Sequence, residues 1–307
     1  MAKFRTNHKP AGGKGGNIAR VGIFAVILGG MLWAYNLFTG KNPSLPQNPS
    51  NEVIYPGDQP EEEEFYLPTS KTGKGQIVRH TYYTLSYNEA HEQADWVAYV
   101  LTRERLQKEW VERPDRFESD PMVKTGSAEW YDYKGSGYDR GHLAPAADMA
   151  FSAKAINETF LMSNISPQAR DFNTGIWKEL EELTRDWAKQ NKKLYVVTGP
   201  VLAEPPKGKI GESGVSIPRS FFKVLLDLSE PDQKGIAFVI PNEVSYEPLY
   251  KFAVSIDEAE KKTGLDFFPE LMSSELEASM EKSFNLDLWP FSKQKHDLRI
   301  NNWNKQQ

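Results

Sequence analysis

One segment limits the architecture of this chain more than any other. Residues 21–38 read VGIFAVILGGMLWAYNLF, 18 residues without a charged side chain. That length is just enough to cross a bilayer as a helix. Lys3, Arg5, Lys9, Lys14 and Arg20 precede it, which predicts a cytoplasmic N-terminus and a remainder carried across the membrane. A cleaved signal peptide competes with a retained anchor. The run is long for a signal peptide, however, and no small-x-small cleavage site follows it. Residues 39–66 are rich in Pro, Asn and Glu and cannot bury a core. The expected organisation is therefore a basic cytoplasmic tail (1–20), one N-terminal transmembrane helix (21–38), a disordered acidic and Pro-rich linker (39–66) and a globular domain (67–307). The domain would lie outside the cytoplasm, in a periplasm or at the cell exterior, and would be secreted if the segment were cleaved.

With 307 residues, one large domain plus an appendage fits better than two full domains. The chain has no cysteine. That excludes disulfides, thiolate zinc sites and a cysteine nucleophile. The net charge is −5, whereas proteins that grip nucleic acid are more often basic. The tail and the linker carry opposite and equal net charges, so the domain alone also keeps −5. A polyanionic partner would have to meet a local basic patch, and its binding would be salt-sensitive.

The domain mixes element types. Gln76 to Ser86 is β-branched and aromatic and reads as a strand. Leu194 to Thr198, Phe221 to Leu228 and Gly235 to Ile240 are short apolar runs of the same kind. Asn173 to Gln190 and Ile256 to Thr263 read as helices. Strands and helices do not alternate strictly, which predicts an α+β fold with a mainly antiparallel central sheet flanked by helices.

The chemistry is concentrated between Tyr138 and Arg185. At about 100° per residue, Ile176, Leu180, Leu183 and Trp187 fall within about 60° of one another and form a core stripe. Asn173, Trp177, Glu181 and Arg185 climb one flank of that stripe. Taken singly, each polar residue has an ordinary reading: Glu181 and Arg185 as an i,i+4 ion pair, Asn173 as a helix cap. Upstream, Asp139-Arg140-Gly141-His142 puts an acid, a base, a permissive glycine and an imidazole in four residues. Histidine is the side chain best matched to proton abstraction near neutral pH, yet a lone histidine beside an apolar run is usually just packed.

Taken whole, the pattern is more specific. DRGH (Asp139 to His142), SNISPQ (Ser163 to Gln168) and N-x-x-x-W-x-x-x-E (Asn173 to Glu181) resemble the DNA/RNA non-specific endonucleases of the ββα-metal class. That family includes mitochondrial endonuclease G and the secreted bacterial sugar-non-specific nucleases. The resemblance extends over roughly residues 75–290, through YKGSGYDRGHLAPAADM, VVTGPV, IPRSFFKVLL, FVIPN and IDEAEKKTGLDFFPEL. It implies a ββα-metal active site and endonucleolytic cleavage of DNA and RNA. His142 matches the general base that deprotonates water. Asn173 matches the ligand of a single Mg²⁺, with Mn²⁺ as a substitute, and Glu181 the acid that orients water there. Arg140 and Arg185 match arginines that hold phosphate, and Asn164, Gln168 and Asp139 match supporting positions. The family often adds a phosphate-binding arginine before the DRGH strand; here Arg113 and Arg116 both qualify. Dimers are common in the family, though nothing in this chain establishes an interface, and the sequence does not reveal whether an inhibitor protein exists.

Two other readings stand beside this one. One is a membrane-anchored nuclease-like binding module without catalysis, against which the intact His142, Asn173 and Glu181 count. The other is a metal phosphodiesterase for small phosphoesters. A Ser-His-Asp hydrolase is disfavoured because G-x-S-x-G is missing, and a zincin because H-E-x-x-H is missing.

Overall fold

The computed structural model describes residues 66–70, 75–114 and 116–305, all within one compact unit, Gln59–Gln307. The expected tail, anchor and nearly all of the linker lie outside the described residues. Tyr66, the last expected linker residue, is buried and its ring lies 5.9 Å from that of Tyr195.

The strands are β1 (Thr69–Ser70), β2 (Gln76–Arg79), β3 (Tyr83–Asn88), β4 (Gln93–Thr102), β5 (Tyr138–His142), β6 (Ile165–Ala169), β7 (Lys193–Pro200), β8 (Lys209–Ile210), β9 (Val215–Ser216), β10 (Ser220–Asp227), β11 (Lys234–Pro241), β12 (Ala253–Val254) and β13 (Leu265–Asp266). The helices are α1 (Arg103–Leu106), α2 (Ala153–Glu158), α3 (Lys178–Asn191), α4 (Ile256–Thr263), α5 (Ser274–Glu281) and α6 (Lys293–Asn301). Seven strands form one sheet in the order β12-β11-β10-β7-β4-β3-β2. Every neighbouring pair in it is antiparallel. The fold is thus α+β around a central antiparallel sheet.

Both faces of the sheet are covered. Val97, Tyr99, Leu101, Val196, Phe221, Leu225 and Phe238 pack on one side against Ile176, Leu180, Leu183 and Trp187. Trp96, Ala98, Val100, Val197, Phe222, Val224 and Ala237 pack on the other against Ile256 and Ala259 of α4. Alternate residues of each strand serve alternate cores, since side chains in a strand point to opposite faces in turn. This double coverage explains why β7, β10 and β11 read in sequence as apolar runs, not as half-polar alternations. A fully buried Phe or Leu is worth about 1.5–3 kcal/mol, so these two layers supply most of the force that holds the sheet.

Three expectations change. The single strand expected over Gln76 to Ser86 is two, β2 and β3, because His80 N donates to Tyr83 O at 2.9 Å and closes a turn between them. The helix expected from Asn173 begins as a wide turn over Phe172–Trp177, distorted at Gly175 (φ −106°, ψ −110°), and becomes regular only at Lys178. Such wide turns are frequent at functional sites. Lastly, among the described residues no helix is long and apolar enough to cross a membrane. The longest, α3, has 14 residues, about 21 Å against about 30 Å of hydrocarbon, and is rich in charge. The membrane-anchored, extracytoplasmic placement is corrected on that finding. Helix α4 lies where the sequence places it, Ile256–Thr263, with a Ser255 and Glu258 capping box.

Candidate active site

The site is built on a hairpin and the helix after it. β5 pairs antiparallel with β6, with Asp139 opposite Gln168, Gly141 opposite Ser166 and His142 opposite Ile165. Strand β6 leads directly into the wide turn and α3. A β-hairpin followed by a helix is the arrangement implied by the ββα resemblance.

Gly141 is required by packing. A Cβ on it would come within 2.1 Å of Gln168 Cδ, in the neighbouring strand. Gln168 is fully buried there, its amide oxygen and nitrogen without partners among the described residues. Asn164 is a staple. Its Oδ1 accepts from Ala144 N at 2.9 Å, and its Nδ2 donates to Ala144 O at 3.0 Å and Thr159 O at 2.9 Å. Its backbone carbonyl accepts from Leu143 N at 3.0 Å. Asn164 therefore fixes the chain as it leaves His142, with its amide fully used in doing so.

His142 sits in an aromatic box. Its ring centroid lies 4.8 Å from Phe160, edge to face, and 5.6 Å from Phe117. Its Nε2 is enclosed and has no hydrogen-bond partner among the described residues. Burial, and then the charge of Arg113, push its pKa down to about 3. The imidazole is thus neutral at physiological pH.

Asn173 stands on the wide turn. Its Nδ2 donates to Asp139 Oδ2 at 3.1 Å, which turns the amide so that its carbonyl oxygen is left for another partner. Asp139 also lies 3.8 Å from the largely exposed Arg170.

The third cluster lies under α3. Arg185 Nη1 meets the buried Asp148 Oδ1 at 2.8 Å, and Asp148 Oδ2 accepts from Tyr99 Oη at 2.7 Å. The i,i+4 pair expected between Glu181 and Arg185 does not close: among the described residues no ion pair joins them, and Asp148 takes the guanidinium. Burial raises the pKa of Glu181, an effect opposed by Lys223 and Arg185. Lys223 comes from β10 in the sheet below. It is fully buried, its Nζ has no hydrogen-bond partner among the described residues, and it lies 5.1 Å from the Trp177 ring centroid. Burial lowers its pKa.

The remaining arginines separate clearly. Arg140 is exposed, with its guanidinium 4.6 Å from the Phe117 ring centroid, on the ring that also packs on His142. Arg113 stacks 5.1 Å from the Phe160 ring centroid, the other wall of the box. Arg116 is paired with Glu118 at 3.0 Å and is 82% exposed. Geometry thus favours Arg113 over Arg116. Arg113 and Arg140 over the box, with Arg170 at Asp139, form a local basic patch in an acidic protein. Sequence reasoning missed Arg170, Asp148, Lys223 and Asn242. Asn242 ties β6 to the sheet by accepting from Ala169 N at 2.7 Å and donating to Pro167 O at 3.0 Å. The only sequence trace of these four is that three lie in stretches that carry the resemblance: Asp148 in YKGSGYDRGHLAPAADM, Lys223 in IPRSFFKVLL and Asn242 in FVIPN.

This hairpin-and-helix scaffold, with a histidine, an asparagine and an acid on it, fits the class of site that the resemblance implies. Comparison with known proteins leads to the same class: the profile of the DNA/RNA non-specific endonuclease family matches residues 61–274. The chain belongs to that family. It is 36% identical to human mitochondrial nuclease EXOG over 226 residues, 68% of this chain and 60% of that protein. It is 36% identical to a nuclease of Nostoc sp. over 231 residues, 70% of this chain and 80% of that protein. It is 35% identical to human mitochondrial endonuclease G over 214 residues, 66% of this chain and 72% of that protein. The match thus spans less than two thirds of human EXOG. A crystal structure of an EndoG/EndoGI complex superimposes with a TM-score of 0.60 at 31% identity, covering 65% of this chain and 88% of that one. Human EXOG and human endonuclease G are both named as mitochondrial.

Proposed function

We propose that this chain is a metal-dependent, sequence-non-specific endonuclease that hydrolyses phosphodiester bonds of DNA and RNA. The observation that carries this reading is that His142 and Asp139 share one strand of the hairpin, while Asp139 holds Asn173 on the turn that follows it.

The donor set suits a hard cation. Asn173 offers a carbonyl oxygen, with carboxylates rather than thiolates around it, and Mg²⁺ prefers oxygen ligands and keeps several waters. Asn173 would hold the ion, and Mn²⁺ could replace it; when bound, it would neutralise charge on the phosphate and the leaving oxygen. His142 acts as general base and takes a proton from the attacking water. A phosphodiester anion beside the imidazole offsets the burial and the Arg113 charge, lifting its pKa towards the working range. Glu181 orients water, and Arg140, Arg113 and Arg185 hold phosphate oxygens or stabilise charge developing on them. Asp139, Asn164 and Gln168 keep the hairpin in place. The products carry 5′-phosphate and 3′-hydroxyl ends. A protein inhibitor belongs to the same reading, by analogy with the EndoG/EndoGI complex.

The test is cleavage of supercoiled plasmid and of RNA by the full chain, with Mg²⁺, Mn²⁺ or EDTA, followed by end-labelling. Cutting is expected with either ion and not with EDTA. Asn173→Ala is expected to need at least tenfold more Mg²⁺ for half-maximal rate. EDTA-insensitive cutting would sink the metal requirement, 3′-phosphate ends the polarity, and an unchanged Mg²⁺ titration the role of Asn173.

Lys223 makes a separate prediction about pH. Its charge opposes the upward push that burial exerts on Glu181. Lys223→Met removes that opposition, so the Glu181 pKa rises further. If ionised Glu181 is needed, activity falls as pH drops through that pKa. The acid limb of the rate profile is therefore expected to move to higher pH, while thermal stability holds or improves, since an unpartnered buried ammonium is costly. An acid limb that stays in place would detach Lys223 from the site.

A further inference from the structure

On the opposite face of the sheet, three carboxylates converge from two helices. Asp257 and Glu260 lie one turn apart on α4, and Glu281 closes α5. One carboxylate oxygen from each lies within 4.8 Å of the others. Glu281 is only 6% exposed, and its Oε1 is enclosed without a hydrogen-bond partner among the described residues. Burial raises its pKa most, and the carboxylates of Glu260, Glu277, Asp257 and Asp266 raise it further. An acid buried this deeply ordinarily faces a base or a donor; among the described residues its Oε1 has none, and of its acidic neighbours Glu260 accepts from Phe267 N at 2.8 Å.

We propose that Asp257, Glu260 and Glu281 form a second cation site, distinct from the Asn173 centre, that takes a hard divalent cation of the calcium type. Oxygen-only donors select Ca²⁺ or Mg²⁺ over softer metals. Carboxylates brought together from two separate helices suit the flexible, high-coordination shell of Ca²⁺ better than the near-ideal octahedron that Mg²⁺ demands. Asp257 is exposed and Glu260 half-buried, so water has room to complete the shell. The ion would clamp α5 onto α4, with Met280 beside Glu281 packed on the second core. Glu281 lies beyond the stretch matched by the family profile, which ends at residue 274. The site would therefore be an addition to the nuclease framework and would serve stability, not bond cleavage.

The experiment is thermal melting of the metal-stripped full chain with and without CaCl₂, for the unmodified protein, Glu281→Gln and Asn173→Ala. With the modest affinity of open carboxylate sites, about 10 mM Ca²⁺ is expected to raise Tm by roughly 3–8 °C. Asn173→Ala should keep that rise, and Glu281→Gln should lose it while folding normally, because its substitution relieves repulsion. A rise that survives Glu281→Gln, or that disappears with Asn173→Ala alone, would overturn the proposal. So would an unmodified protein indifferent to Ca²⁺ whose Glu281→Gln variant melts higher, since the cluster would then hold a proton instead.

Discussion

Replacing His142 by alanine is expected to lower turnover on DNA by about 10²- to 10⁴-fold, the usual worth of a positioned general base. The fold should survive. The Nε2 of His142 makes no hydrogen bond among the described residues, so its loss strands no partner, and the chain on either side is held by the β5–β6 ladder and the Asn164 staple. The structural cost is limited to the lost contacts with Phe160 and Phe117. KM should change little, because Arg113, Arg140 and Arg185 remain. Added imidazole should restore part of the rate by entering the emptied aromatic box. Single-turnover kinetics beside a melting curve checks this. Turnover within tenfold of the unmodified protein would remove His142 from the base role, and a collapsed melting curve would leave His142→Gln as the variant to measure.

The second large effect lies in stability. Arg299 is fully buried on α6. Its Nε donates to Glu179 Oε2 at 2.6 Å, one Nη to Glu247 O at 2.6 Å and the other to Ser245 O. Glu179 sits in the first turn of α3, immediately after the wide turn that carries Asn173. Burial outweighs the guanidinium there and holds the Glu179 carboxyl above its usual range. The pair therefore contributes little net energy as it stands. Removing one partner is another matter. Arg299→Ala leaves a buried carboxylate and the Glu247 carbonyl unmatched, while Ser245 O keeps Asn304 Nδ2 at 2.9 Å; the cost is about 3–5 kcal/mol, which lowers Tm by roughly 6–20 °C for a domain of this size. Glu179→Gln combined with Arg299→Met should recover much of the loss. A fall of less than about 2 °C in Arg299→Ala would show that the bolt carries no load. Activity should fall as well. Asn304 Oδ1 would lie 2.7 Å from a Cβ on Gly175, and Trp303 stacks under Lys178 at 4.0 Å. The C-terminal segment thus braces the turn that presents Asn173.

Much of this arrangement was legible in the chain itself. The strands β7, β10 and β11 announced themselves as short apolar runs, and α4 was legible over Ile256 to Thr263, where the structure has it. The stripe Ile176, Leu180, Leu183 and Trp187 appeared by period alone and does pack on the sheet. β4 escaped because Gln93 and Asp95 interrupt its apolar pattern. The division of Gln76 to Ser86 into two strands escaped because a turn closed by His80 and Tyr83 uses none of the usual Gly or Asn signals.

The sequence alone determined which residue types stand on the hairpin and helix, because the order Asp139 to His142 and the spacing from Asn173 to Glu181 are local properties. It also established family membership, through motifs spread over most of the domain. Only the tertiary structure decided who meets whom. Arg185 is four residues from Glu181 yet pairs with Asp148, 37 residues away, because Asp148 is held beneath α3 by Tyr99. Arg113, not Arg116, joins the His142 box, because Phe160 offers it a ring to lie on. Lys223 reaches the Glu181 neighbourhood from the middle of the sheet, and Arg299 reaches Glu179 across 120 residues. Such partnerships depend on strand register and on the packing of helices against both faces of the sheet, and no local period in the sequence encodes them.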